Sequence, residues 1–190
     1  MASIIKANKL QDFAGNELLT SDGSGNFTLQ DKITTNNSAL LKNTPAFEAH
    51  LNSSQTISHN TDTKVQFNTE DFDTDNTYDN SSNYRFTPAV AGKYFIYAAG
   101  QARNQTDNQL KMQELSIKKN GSTFKLVKDQ MNGSTGETMF ITNISAVMDL
   151  TATDYIEIFT KLEYISSGTL ELYGTSSRNS YFGAYKLVGA

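Results

Sequence analysis

The sequence predicts an all-β fold: a jelly-roll sandwich of about ten short strands, behind an extended N-terminal segment. Three observations predict it. From Pro45 onward the apolar residues alternate with period two. Asn, Asp, Ser and Gly interrupt that alternation at roughly ten-residue intervals, the spacing of a sandwich or jelly roll. Helical periodicity is missing after residue 45, and only 2 prolines break the chain.

The elements follow in order. Residues 1–44 read as an attachment segment and linker. Ala14-Gly15-Asn16 and Asp22 to Asn26 are turns, and Leu18-Leu19 pairs with Phe27-Thr28-Leu29 as a small hairpin. Ser3 to Phe13 is read as extended rather than as a short helix. A lone hairpin is marginal in water, so this segment is expected to pack on another chain.

Residues 45–190 form the domain. Val65 and Phe67 share one face. Tyr94, Ile96, Ala98 and Gly100 alternate with Phe95, Tyr97 and Ala99, so this strand is apolar on both faces. Such a strand is central or faces a partner subunit. Leu110 and Met112 have one parity and Leu115 and Ile117 the other, which predicts a bulge or bend near Gln113. Asn120-Gly121 between Ser116–Lys119 and Thr123–Val127 is the strongest hairpin signal. Phe140, Ile144, Ala146, Met148 and Leu150 keep one parity. Ile156, Ile158 and Leu162 repeat it, with Glu157 and Lys161 opposite. Leu170 and Leu172 follow, and Tyr181 to Val188 closes the domain.

Composition excludes several classes. A net charge of −4 with scattered Lys and Arg argues against a nucleic-acid partner. No apolar run reaches the roughly 18 residues of a membrane span. Cys is absent, so disulfides, thiolate zinc sites and cysteine nucleophiles are excluded. Residues 1–20 lack the basic and apolar regions of a signal peptide, so release by a route such as lysis of an infected bacterium is expected. His50 and His59 are isolated, and no Gly-x-Ser-x-Gly elbow occurs, so no enzyme is expected.

Asp71, Asp73, Asp75 and Asp79 form the densest acidic cluster. In extended chain the first three share a face, and calcium takes several carboxylate oxygens. The cluster is therefore a calcium candidate, with a solvated acidic loop as the competing reading. The Gly and distal Glu of an EF-hand are missing, Ser82 standing at the last position. No other cofactor is expected.

Phe67, Asp73, Tyr78, Phe86 and Gly92-x-Tyr94 resemble, in type and spacing, the pattern of C1q/TNF-like jelly rolls. Ala46-Phe47-Glu48-Ala49 resembles that family's opening strand, Arg85-Phe86-Thr87-Pro88 the entrance to the next, and Ser180 to Leu187 its closing strand. One extra residue lies between Tyr78 and Phe86, and Ile96 and Ala98 stand where the family has aromatics. The resemblance implies a homotrimer; the doubly apolar strand points to an interface at Phe95, Tyr97, Phe159 and Tyr185, with core packing as the competing reading for each. Residues 1–31, with Ala2-Ser3-Ile4-Ile5-Lys6 and Ser21 to Leu29, resemble N-terminal segments of bacteriophage structural proteins, marine ones especially. The two resemblances together imply a virion protein of fibre or capsid-decoration type. Its N-terminal segment would hold other virion proteins. Its head would be displayed on the particle and adhere to a host glycan or protein through loops 74–84, 103–109 and 130–137. The alternatives are a secreted ligand or lectin-type module and a polysaccharide depolymerase, which would need a convergent carboxylate pair.

Overall fold

The computed structural model describes residues 9–11, 14–15, 17–24, 27–29 and 43–187. The chain divides into two compact units, the second beginning at Asn43.

In the first unit β1 (Lys9–Gln11), β2 (Glu17–Ser21) and β3 (Phe27–Leu29) form an antiparallel sheet in that order. Leu19 pairs with Leu29 and Ser21 with Phe27, the hairpin expected around Asp22-Gly23. Lys9 to Gln11 is extended and adds a third strand, and Lys9 pairs with Glu17 across it. The rest of the Ser3–Phe13 stretch lies outside the described residues.

The second unit is a sandwich of two antiparallel sheets. The first contains, in order, β5 (Gln55–Thr56), β15 (Leu170–Leu172), β10 (Gly92–Asn104), β16 (Tyr181–Lys186), β4 (Ala46–His50) and β7 (Thr69–Asp73). The long β13 (Met139–Leu150) also pairs with β10. The second runs β12 (Ser122–Gln130), β11 (Leu110–Lys119), β14 (Ile156–Tyr164), β9 (Arg85–Phe86) and β8 (Tyr78–Asp79), with β6 (Thr63–Lys64) against β14. No helix occurs among the described residues. The sheets hold seven and six strands against the expected ten, the excess being two-residue pieces such as β5, β6, β8 and β9. Pieces that short show no alternation for sequence to reveal.

The spaced aromatics converge in the core. The Phe47 ring stacks on Tyr78 at 4.6 Å and on Phe86 at 4.9 Å, and meets the Phe182 edge at 4.9 Å. Tyr78 donates its hydroxyl to the Phe67 carbonyl at 3.0 Å, so even its polar end is satisfied in the interior. Asp73 accepts the backbone N–H groups of Thr77 and Tyr78 at 2.7 and 2.8 Å, which aims Tyr78 inward. The motif is thus a fold motif: its members pack the sandwich. Ile96 and Ala98, which stand where aromatics were expected, are buried in the same core.

Two backbone features follow the sequence closely. Asn120 and Gly121 have φ of 52° and 79°, the two left-handed positions of a type I′ turn. The register of β11 on β14 shifts between Leu110 and Met112, just before the Gln113 where the parity change was located. The shift sends Gln113 into the core, where it donates to the Gly100 carbonyl at 2.9 Å.

Candidate functional site

The outer face of the seven-stranded sheet is the most unusual surface of the sandwich. Strand register arranges it in rows. One row runs Val147, Phe95, Tyr185, Ala46 across β13, β10, β16 and β4. The next runs Ser145, Tyr97, Gly183, Glu48, and the third Asn143, Ala99, Tyr181, His50. Phe95 lies 5.8 Å from Tyr97 and 5.5 Å from Tyr185, ring centre to ring centre, and Tyr97 lies 6.2 Å from Tyr181. These rings form one continuous aromatic patch.

Glycine makes the patch flat. A Cβ on Gly183 would stand 2.4 Å from the Tyr97 ring and 2.9 Å from the Phe47 carbonyl oxygen. The Tyr97 ring therefore lies across β16 and donates its hydroxyl to Glu48 Oε2 on β4 at 2.8 Å. Burial, then the Glu48 carboxylate, push the Tyr97 hydroxyl pKa well up. Beside the rings a hollow of about 170 Å³ is walled by Tyr97, Tyr181 and Asn143. On β13 the odd residues face out, leaving Val147 at 56% and Ile141 at 60% exposure. Isolated exposed apolar side chains are ordinary, whereas a contiguous aromatic and aliphatic patch marks an interaction surface.

The opposite sheet presents a different face. Lys64 pairs with Glu157 at 2.5 Å, Lys118 with Asp62 at 2.5 Å, and Lys161 with Glu114 at 2.9 Å. Phe159 belongs here. Its ring lies under the Lys118 ammonium at 3.7 Å, so of the four expected interface residues Phe95, Tyr97 and Tyr185 come together and Phe159 does not.

The four aspartates do not converge either. A register shift between Glu48 and Ala49 leaves Asp71 as the bulged residue of β7, which breaks the alternation that had placed it beside Asp73. Asp71 instead meets His50 Nδ1 at 3.0 Å and Arg178 at 2.6 Å. Those partners, Arg178 foremost, lower its pKa. Asp73 caps the turn to Tyr78. Asp75 accepts from the Thr74 hydroxyl at 2.9 Å. Asp79 accepts the N–H groups of Ser81, Ser82 and Asn83, which hold its carboxyl far below the usual carboxylate range. Among the described residues no group of three or more acidic or histidine side chains is placed to hold a metal. His59 is remote from His50, stacked on Tyr164 at 4.0 Å.

The three expected contact loops fall into two places. Asn104 N–H bonds the Thr138 carbonyl at 3.1 Å and Gly136 N–H the Asn108 carbonyl at 3.0 Å, joining 103–109 to 130–137 at one end of the sandwich. Thr74 N–H bonds the Ala46 carbonyl at 3.0 Å, so 74–84 begins at the other end, where the chain enters β4. Glu48, Gly183, Val147 and Ile141 escaped sequence reasoning, since their roles depend on register between distant strands.

No protein-family model matches the chain, and no curated protein sequence matches it. Solved structures do. Eiger TNF from S. frugiperda superposes with a TM-score of 0.55 at 13% identity, covering 76% of this chain and 93% of that one. The globular domain of zebrafish complement 1qA protein gives 0.52 at 16% identity, covering 75% and 96%. At these identities the likeness shows the fold: the second unit is a C1q/TNF-like jelly roll.

Proposed function

We propose that the chain is a non-enzymatic binding module that assembles as a homotrimer through the outer face of its seven-stranded sheet. The carrying observation is the contrast between the two outer faces. One carries a network of ion pairs with Phe124 and Leu126 of β12 exposed at its edge, while the other sets the half-buried Phe95, Tyr97 and Tyr181 ring against ring with the exposed Tyr185, Val147 and Ile141. Covering the second with further copies removes it from water, at roughly 25 cal/mol per Å² of apolar surface. A closed ring of such contacts covers that face on every copy. The C1q/TNF resemblance supports three copies.

The finer reading is a bacteriophage virion protein of fibre or decoration type. The resemblance of residues 1–31 to phage structural segments supports it. In that setting the first unit holds the particle, and the end formed by 103–109 and 130–137 points outward, where loops on a rigid scaffold carry recognition.

Light scattering on the full-length protein tests the assembly. The expected mass is that of three chains. It should be unchanged by chelator, since each aspartate has another partner. Val147→Arg and Ile141→Arg should fold, both sites being exposed in the single chain, and should shift the mass toward one chain. A parent mass of one chain would remove the proposal. Finding the protein in purified particles supports the virion setting; a trimer absent from particles replaces it with the secreted-ligand reading.

A further inference from the structure

The flank of the sandwich carries a polar cleft of about 590 Å³, within the ~300–1,000 Å³ of small-ligand sites. It is lined by Glu70 of the edge strand β7, residues 75–83, Arg85, Thr87 and Ala89. Glu70 sits opposite Ala49, on the side of β7 turned away from the aromatic face.

Several polar groups here are unspent. The side chains of Glu70, Asn76 and Asn80 make no hydrogen bond or ion pair with any described residue. The Arg85 guanidinium lies over the Tyr155 ring at 4.7 Å and pairs with no carboxylate among the described residues. By contrast Asp79, also in the lining, is saturated by its own turn. Glu70 is half-buried, and loss of water followed by the nearby Asp73 charge raises its pKa. A half-buried carboxylate facing open space gains from any donor that enters. Two lining residues are also held in an unfavourable backbone: Asn76 and Ala89 have φ of 54° and 58°. Non-glycine residues persist there where the surroundings over-determine them, as in ligand clamps.

The lining also selects the ligand. Three carboxylates, those of Glu70, Asp75 and Asp79, against one guanidinium disfavour phosphates and acidic polymers. Amides and hydroxyls line most of the rest, which offers nothing to an apolar ligand. What fits is a molecule whose groups both donate and accept, since Glu70 only accepts, Arg85 only donates, and the Asn amides do both. We propose that this cleft binds an uncharged saccharide, its hydroxyls donating to Glu70, accepting from Arg85 and bridging Asn76 and Asn80. The proposal rests on the binding-module reading and adds a ligand class to it.

Saturation-transfer NMR on the full-length protein tests this, with glucose, galactose, mannose and N-acetylglucosamine as probes. The variants are Glu70→Ala and Asn80→Ala. Neither side chain holds the fold by a polar contact, so both should melt with the parent; if Glu70→Ala does not, Asn80→Ala decides. At least one sugar should show transfer from the parent, with affinity falling about tenfold in Glu70→Ala, the loss of one charge-assisted hydrogen bond. Equal transfer in parent and both variants overturns the cleft. So does absence of transfer to all four sugars in a parent of three-chain mass, and either result leaves the assembly standing. A monomeric parent that loses its sugar in Glu70→Ala overturns the assembly and keeps the cleft.

Discussion

Gly183 leaves empty the space that the Tyr97 ring fills. Gly183→Ala must lift that ring and break its bond to Glu48, because the Phe47 carbonyl blocks the other direction. The expected loss is about 1–3 kcal/mol, as for other overpacked sites, read as a lower urea midpoint, together with a weakened trimer by light scattering. An unchanged midpoint would mean that Tyr97 is not held across β16. At this scale the sequence told part of the story. Parity placed Phe95 and Tyr97 on one side of one strand, and they are there. Parity says nothing about which sheet a strand joins, so it did not show that Phe159 lies on the other sheet. The aspartates do not share a face for another reason: the bulge at Asp71 leaves no mark in composition, and a single extra residue reverses every side chain beyond it.

The hairpin β11–β12 is clasped to its neighbour through its turn. Asn120 donates from Nδ2 to Asp154 at 2.7 Å and accepts from the Tyr155 N–H at 2.9 Å. Lys119 pairs with Asp154 at 2.9 Å. The Thr151 N–H foremost, then Asn120 and Lys119, hold the Asp154 carboxyl far below the usual carboxylate range. A depressed folded pKa contributes stability that is complete above the unfolded value, near pH 4, and is lost as pH falls toward the folded one. Asp154→Asn should therefore melt below the parent at neutral pH, and thermal scans should show the gap closing under acid. A gap that is constant with pH would discount the charge. Asn120-Gly121 was readable because a type I′ turn demands two left-handed residues. Its clasp partner was not, because nothing local ties residue 120 to residue 154. Strand β13 was equally plain, its long alternation continuing through Thr142. The two-residue strands β5, β6, β8 and β9 were not, since tertiary contacts alone make them strands.

At the scale of the whole molecule, the second unit holds its own core, and the aromatic face belongs to it entirely. A chain beginning at Asn43 should therefore keep the three-chain mass and the parent melting temperature by calorimetry. It should fail to enter particles in a complementation assay. A truncated chain that unfolds would tie the first unit to stability rather than to attachment. The sandwich also has a property that concerns its two ends. The Lys186 N–H bonds the Pro45 carbonyl at 3.2 Å, and β4 and β16 are neighbours. The polypeptide thus enters and leaves at one point on one sheet. Such a domain is a cassette. A short bridge could close it into a circle and let it be reopened at an exposed loop such as Asn108. The same closeness lets it be spliced whole into a surface loop of an unrelated protein, with neither host nor guest stretched to receive it.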